Sequence, residues 1–281
     1  MTHASDVRIE SDPEGLHDKE TMDALRAHNA LFAGPLKIES FFVYAFDGEH
    51  LVGGLSGFLV WDWFSIGNHF FNDDHALTDM IIALKRHVRN KAEGICVHVP
   101  DRKRIDRFVK AGFTYAGTVP GTDKSPDYHH AESRDFHTSR EPSYRLTTSL
   151  EPDPVHQKTV DRDMEDFYRG CGVTFKTGEI RHAALSEHGF LGGVTADVYG
   201  DSVHVNRLVV VPSARGNRIG TRLMEALEDE AIRMGCVVIG LGTTDFQARG
   251  FYERLGYEVV MTRQGYPRGF DSHTMAKRIR P

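Results

Sequence analysis

Two stretches of alternating hydrophobic and polar residues lie about half a chain apart. Residues 51–56 read Leu-Val-Gly-Gly-Leu-Ser, and residues 190–195 read Phe-Leu-Gly-Gly-Val-Thr, each inside a longer alternating run. Alternation with a period of two is typical of a strand with one buried face. We therefore predict antiparallel strands in both stretches.

Other elements recur in the same order. Residues 7–28 predict a strand followed by a helix, and residues 144–168 predict the same pair. Further along, Phe-Val-Lys-Ala-Gly-Phe at 108–113 parallels Tyr-Glu-Arg-Leu-Gly-Tyr at 252–257. Three ordered matches at a nearly constant spacing indicate duplication of a domain.

The repeat predicts two domains, residues 1–142 and residues 143–281. Each is expected to have an α/β (α+β) fold in which helices flank a mixed, mostly antiparallel sheet. Residues 122–143 are the most polar part of the chain and predict a long loop around one last strand.

Composition narrows the class of protein. The 281 residues are 40% hydrophobic and 26% charged, which suits two globular domains. The sequence contains neither a long apolar span nor a CxxC pair among its three cysteines, so we expect a cytoplasmic protein without a membrane segment, a disulfide framework or a zinc ribbon. A net charge of -6 gives no reason to expect a nucleic-acid partner. Residues 204–281 have an excess of basic residues, which suits a small anionic ligand.

A segment that contains glycine joins a predicted strand to a predicted helix in the second half. The strand covers residues 203–211 and ends at Pro212, and the amphipathic helix begins near Asn217. Free backbone N–H groups at such a helix start are suited to phosphate. An ordinary strand-to-helix turn is the alternative. The segment consists of Arg215, Gly216, Asn217, Arg218, Ile219, Gly220 and Thr221, and it lacks both the GKS/GKT and the GxGxxG pattern.

The next motif follows a short predicted strand at residues 237–241. Residues 245–252 read Asp-Phe-Gln-Ala-Arg-Gly-Phe-Tyr, and Leu-Gly-Tyr follows at 255–257. Together with Arg-Gly-Asn-Arg-Ile-Gly at 215–220, this resembles the GNAT acetyltransferase superfamily. That superfamily has a phosphate loop written Q/R-x-x-G-x-G/A, and later N-x-x-A-x-x-x-Y followed by L-G-F/Y.

The resemblance implies an N-acetyltransferase that uses acetyl-CoA as acyl donor and transfers its acetyl group to a primary amine by direct attack, without a metal. The pyrophosphate would lie on the amides of residues 215–221, with Asp245 also beside the cofactor. The pantetheine would run along the strand Leu208, Val209 and Val210. Tyr252 would protonate the departing thiolate, and a backbone N–H near Leu208 or Val209 would hold the oxyanion.

No residue is clearly marked as the general base. His204 and Asn206 are expected on one strand face with Leu208, which makes His204 the candidate, and a structural histidine is the alternative. Two residues depart from the family pattern. Arg218 replaces the first glycine of the loop, where an arginine fits with a negative φ, and Asp245 replaces the usual asparagine.

The first half lacks this chemistry. Its counterpart of the phosphate loop, residues 73–79, has three carboxylates and no glycine, and Phe108 stands in place of Tyr252. We interpret it as a degenerate repeat that supports the second domain and helps to line its substrate cleft. Trp61 and Trp63 are expected to pack in its sheet, and residues 264–270 are expected to border the acceptor side.

Several alternatives remain open at this point. The acceptor is a small-molecule amine or a peptide amine, and a homodimer is not decided by the sequence. His129, His130, Asp135 and His137 lack the spacing of a metal site, so no metal is predicted. The competing function is a non-catalytic protein that senses CoA or binds another protein through the same scaffold.

Overall fold

The computed structural model describes residues 7–122, 126–138 and 140–280. Two seven-stranded sheets and six α-helices make up this part of the chain. The first half forms β1 (Arg8–Ser11), α1 (Asp18–Ala33), β2 (Ile38–Asp47), β3 (His50–Val60), β4 (Trp63–Phe71), α2 (Asp74–Val88), β5 (Gly94–Val99), α3 (Arg102–Lys110), β6 (Thr114–Val119) and β7 (Tyr128–Ser133). The second half forms β8 (Arg145–Ser149), α4 (Pro154–Gly170), β9 (Gly178–Ser186), β10 (Gly189–Tyr199), β11 (Ser202–Val210), α5 (Ile219–Arg233), β12 (Val238–Thr244), α6 (Arg249–Arg254), β13 (Glu258–Arg263) and β14 (Ser272–Arg278).

The mixed, mostly antiparallel fold is confirmed in both sheets. The second sheet, which contains most strands of the second half, has the order β1-β9-β10-β11-β12-β14-β13. The first sheet, which contains most strands of the first half, has the equivalent order β8-β2-β3-β4-β5-β7-β6. The parallel pairs are β11 with β12 and β4 with β5. The alternating stretches lie in β3 and β10 as predicted, and β7 is the strand expected within residues 122–143. Residues 123–125 and 139 of that stretch lie outside the described residues.

The first strand of each half pairs with the sheet of the other half. Strand β1 pairs antiparallel with β9, and β8 pairs antiparallel with β2. The helix that comes after each of these strands also packs on the sheet of the other half. Helix α1 packs on β10 and β11, and α4 packs on β3 and β4. The side chain of Arg222 on α5 also donates a hydrogen bond to the Val7 carbonyl at 2.9 Å. Each sheet, together with its helices, therefore contains residues from both predicted domains, and we call this arrangement the exchange.

Helix α4 is fixed to the first sheet by close packing. Val160 is fully buried against Tyr44 and Phe46 of β2. A Cβ atom on Gly54 of β3 would lie 2.2 Å from the Val160 side chain, so only glycine permits this approach. The Tyr44 hydroxyl also donates a hydrogen bond to Gln157 at 3.0 Å.

A bulge in β11 changes which side chains share a face. Thr195 of β10 pairs with Arg207, and the next residue, Ala196, pairs with Val205, so Asn206 is an extra residue on β11. An extra residue shifts the alternation beyond it. Our prediction that His204 and Leu208 share a face was therefore wrong. Leu208 packs on the core that contains Val205 and α5.

Among the described residues, every helix is too short or too polar to cross a membrane.

Because α4 of the second half packs on the first sheet, a cavity made in α4 should destabilise that sheet. Val160→Ala should lower the free energy of unfolding by about 2 kcal/mol, because it removes two buried methyl groups. Trp61 and Trp63, the two tryptophans of the chain, both belong to the first half, so urea unfolding followed by their fluorescence reports on this layer. Val155→Ala is the matched control, since Val155 lies on the same helix and is 74% exposed. Equal stabilities of the two variants would contradict this packing.

Candidate active site

The two parallel strands of the second sheet part from one another and open a cavity. Strands β11 and β12 are paired from Ser202 with Val238 to Val205 with Leu241, and not beyond. The first cavity, of about 480 Å³, lies where they separate. Its lining includes α1 (Leu25 and His28), β11 (Val205, Asn206, Arg207, Leu208, Val209 and Val210), the β11–α5 segment and α5 start (Ala214, Arg215, Gly216, Arg218, Ile219, Gly220 and Thr221), β12 (Leu241, Gly242 and Thr243) and the α6 region (Gln247, Ala248, Phe251, Tyr252 and Arg254).

The N-terminus of α5 forms one end of the first cavity. The residue that precedes the helix, Arg218, makes no side-chain cap, so the N–H groups of the first turn remain available to an anion. Arg215 donates from Nε to the Val210 carbonyl at 3.1 Å. None of the described residues that line this cavity is Asp or Glu. Its arginines and free amides therefore suit phosphate groups.

Arg218 has a left-handed backbone. Its φ is 59°, so the negative φ with which an arginine would fit the loop is not adopted. A non-glycine residue in this region is strained by about 1 kcal/mol. The strain arises because the chain must turn from the 3₁₀ turn Pro212–Ala214 into α5 within a few residues.

Tyr252 lies on α6 in the wall of the first cavity. It is 7% exposed, and burial raises the pKa of its hydroxyl above the ordinary value of 10. The hydroxyl is therefore neutral near pH 7 and can act as a proton donor. Its ring packs against Phe251 and Tyr257, which fixes its position.

Helix α1 of the first half covers part of the first cavity. His28 and Leu25 line it, and Asn29 accepts a hydrogen bond from Gln247 at 2.9 Å. Burial and the neighbouring charge of Arg215 lower the pKa of His28. Sequence reasoning missed these residues, because nothing in the local pattern of α1 indicates that it packs on the other half.

Three of the proposed site residues lie outside the first cavity. The carboxylate of Asp245 accepts hydrogen bonds from the Asp271 backbone N–H and from His273, both at 2.8 Å. Asn217 donates to the Ala214 carbonyl at 3.2 Å and so stabilises the turn. His204 lines a different cavity. The other proposed residues, namely Leu208, Val209, Val210, Arg215, Gly216, Arg218, Ile219, Gly220, Thr221 and Tyr252, all line the first cavity.

The second cavity, of about 300 Å³, lies along the paired part of β11 and β12. One residue, Leu241, lines both cavities. Its lining comes from both halves: Val119, Pro120, Gly121, Pro126 and Tyr128 from the first, and Val173, Thr174, Tyr199, Ser202, Val203, His204, Val238, Gly240, Leu241, Thr274, Met275 and Ala276 from the second. His204 is exposed into this space, directly opposite Asp197 in the β10–β11 register. Crowding by the surrounding protein lowers the pKa of His204, and Asp197 opposes that shift.

The equivalent opening in the first sheet is filled. Strands β4 and β5 are paired from Trp63 with Gly94 to Ile66 with Val97, and then part. Arg104 occupies the region beyond, where it donates to the His69 carbonyl at 3.0 Å and stacks on Phe71 at 4.3 Å.

The start of α2, unlike that of α5, is capped. Asp73 accepts a hydrogen bond from the Ala76 N–H at 2.8 Å, and a second from the Tyr144 hydroxyl at 2.9 Å. These bonds lower the pKa of Asp73 and keep it ionised. A carboxylate thus already occupies the position that an anionic ligand would need. Phe108, the counterpart of Tyr252, is fully buried.

The segment at 264–270 contacts the first half. Trp63 donates from Nε1 to the Gly265 carbonyl at 2.9 Å, and the Tyr266 ring packs against Trp61 and Trp63 at centroid distances of 5.9 and 6.0 Å. The two tryptophans therefore serve in packing between the halves. In the described part of the chain, no group of three or more His, Cys, Asp or Glu residues is arranged to hold a metal ion.

The chain is similar to known acetyltransferases. The family model "Acetyltransferase (GNAT) family" matches residues 134–257. The chain is 39% identical over 98 residues to a blasticidin-S acetyltransferase of Streptomyces morookaense, which is 34% of this chain and 72% of that protein. It is 38% identical over 68 residues to an IAA acetyltransferase of Azospirillum brasilense, which is 24% of this chain and 44% of that protein. Among solved structures, an acetyltransferase from Bacillus cereus matches 46% of this chain and 94% of its own length, with 24% identity and a TM-score of 0.41.

Strain at Arg218 predicts an unusual response to substitution. Arg218→Gly should raise the free energy of unfolding by about 1 kcal/mol, because glycine adopts a positive φ without steric cost. Arg218→Ala removes the same charge but keeps the strain, so it should give no such gain. Urea unfolding of both variants measures the difference, and equal stabilities would show that Arg218 is not strained.

Proposed function

The chain belongs to the GNAT acetyltransferase family, and from that premise we propose that it transfers the acetyl group of acetyl-CoA to the primary amine of a small molecule. The observation that carries the proposal is the first cavity, which runs from the free amides of α5 to the point where β11 and β12 part. Tyr252 in its wall favours catalysis over CoA sensing, since a sensor would need no proton donor there.

The residues of the first cavity fit acetyl-CoA as acyl donor. The pyrophosphate would be held by the amides that follow Gly216 and by Arg215 and Arg218, while the pantetheine would lie along Leu208 to Val210 in the opening between the strands. Asp245 lies outside the lining of the first cavity, and its two oxygens accept hydrogen bonds from Asp271 and His273, so its carboxylate would not contact the donor.

The proposed reaction forms a C–N bond and breaks the C–S bond of the thioester. The amine nitrogen attacks the carbonyl carbon, and a backbone N–H near Leu208 or Val209 stabilises the oxyanion. Collapse expels the CoA thiolate, which takes the proton of Tyr252. An ammonium substrate must first lose one proton and the tetrahedral adduct another, so the products are the amide, CoA and one net proton. No metal or covalent enzyme intermediate is needed.

We assign the general base to His204. Its strand enters the opening two residues later, and its lowered pKa keeps the imidazole neutral at pH 7. Asp197, which is held by Lys176 at 2.7 Å, lies opposite and would stabilise the imidazolium that forms.

We further propose that the two halves are tandem copies, of which one binds acetyl-CoA. The equivalent strand orders of the two sheets support duplication. Arg104 and the capped start of α2 support the loss of the site from the first half.

Replacement of Tyr252 tests the acid role and the number of sites together. Calorimetric titration of the wild type with acetyl-CoA should give one site per chain. Tyr252→Phe should keep the dissociation constant within about threefold but lower kcat roughly 100-fold, as expected for loss of a general acid. A matched variant, Tyr257→Phe, also removes a buried hydroxyl but lies outside the cavity lining, so its kcat should change little. Two sites per chain, or an unchanged kcat in Tyr252→Phe, would contradict the respective assignment.

The base assignment predicts the acidic side of the pH profile. Because the pKa of His204 is lowered from 6.5, kcat at saturating amine should hold at pH 7 and fall only as the pH drops below about 6.5. His204→Gln should lose roughly 100-fold in kcat and should also lose this acidic limb. His188→Gln is the control, since His188 lies in the exposed β9–β10 turn. An acidic limb that persists in His204→Gln would assign the base to another group.

A further inference from the structure

We infer that the second cavity binds the acceptor, and that the acceptor is a monoamine carried by an apolar body such as one aromatic ring or a branched aliphatic chain. The inference rests on the proposed acetyl transfer, and it adds the place and the chemical class of the second substrate.

The second cavity follows the paired part of β11 and β12, whereas the first cavity follows the parted region. Leu241 lines both cavities and belongs to the last β11–β12 pair, so it marks the end of the first cavity that lies away from the α5 N-terminus. A donor with its phosphates at α5 therefore has its thioester end towards the second cavity. An amine seated there would approach the thioester from the side of His204.

The lining of the second cavity determines what it can hold. Most of its surface is apolar, from residues that include Val119, Pro120, Pro126, Val173, Met275 and Ala276. None of the lining residues that the structure describes is Asp, Glu, Lys or Arg. Its volume of about 300 Å³ is at the lower end of the usual range for small-molecule pockets. These properties favour a compact apolar body.

Its polar groups suit one amine and not several. Tyr128, Tyr199 and His204 are the ionisable groups of the described lining, and burial raises the pKa of Tyr128 to about 12. Asp197, which lies opposite His204 in the β10–β11 register, is already engaged by Lys176 at 2.7 Å. A polyamine would therefore bring additional ammonium groups into the cavity without a carboxylate to pair with them, which is costly. The second cavity thus discriminates against polycations.

The first half supplies a wall of this cavity. Residues 119–121 together with Pro126 and Tyr128 form part of its lining. A repeat without a donor site of its own thereby takes part in selecting the acceptor.

Comparison of amines tests the inference directly. With acetyl-CoA saturating, release of the CoA thiol is measured with 2-phenylethylamine and 3-methylbutylamine as apolar monoamines, and with spermidine and kanamycin as polycations. We expect kcat/KM for 2-phenylethylamine to exceed that for spermidine at least tenfold. Equal or better transfer to the polycations, or no transfer to either monoamine by a chain that binds acetyl-CoA, would overturn the inference.

Substitutions locate the acceptor. Ala276→Phe fills the second cavity and should raise KM for 2-phenylethylamine at least tenfold, with the dissociation constant of acetyl-CoA unchanged. Arg278→Phe is the matched control, because Arg278 lies two residues further along β14, is exposed and does not line the cavity. Should Ala276→Phe not fold, Tyr128→Ala removes the aromatic wall from the first half and should raise the same KM. An unchanged KM would place the acceptor elsewhere, whereas failure of the wild type to bind acetyl-CoA would instead refute the proposed function.

Discussion

The parting of β11 and β12 is the constraint on which the rest of the site depends. Parallel strands must be joined by a crossover, here α5, and such a crossover starts at the carboxyl end of the first strand. The extra residue Asn206 bends β11 just where its pairing with β12 stops. Opening and helix start therefore fall at the same end of the sheet. The uncapped start of α5 and the opening between the strands are two consequences of one backbone arrangement.

The same backbone arrangement is present in the first sheet, where side chains fill the corresponding region. Beyond the last β4–β5 pair, the Arg104 guanidinium lies 4.3 Å from the ring centre of Phe71 and 4.4 Å from that of Phe167. Phe167 belongs to α4, so the exchanged helix of the second half completes the filling. The His69 ring is fully buried there, and burial lowers its pKa to about 3, which keeps this interior free of a second charge beside Arg104. The same strand order thus borders a cavity in one half and packed side chains in the other.

The individual strands and helices, and the residues of the predicted phosphate loop, could be predicted from the sequence. The strands around Gly53 and Gly192 and the helix that follows Arg218 follow from the period of the hydrophobic residues, whereas the family resemblance indicated Tyr252, which lines the first cavity. The exchange was not predictable, because Val7-Arg8-Ile9 and Tyr144-Arg145-Leu146 are equally good edge strands for either sheet. The alternation of residue types does not reveal that Asn206 of β11 is an extra, unpaired residue. The face on which Leu208 lies was therefore predicted incorrectly. The partners of Asp245 lie on the distant strand β14 and before it, so only the folded chain reveals that its carboxylate is engaged.

Exchange also gives a physical reason for the first half to remain attached. Its helix α1 covers part of the first cavity through His28 and the Asn29–Gln247 hydrogen bond, and its residues 119–121 line the second cavity. A third contact comes from Trp63, whose indole holds the Gly265 carbonyl. A free second half would lose its edge strand β1 and the cover over its cavity at the same time. These contacts arise from the outer surfaces and the exchanged elements of the first half, and not from the filled region between β4 and β5.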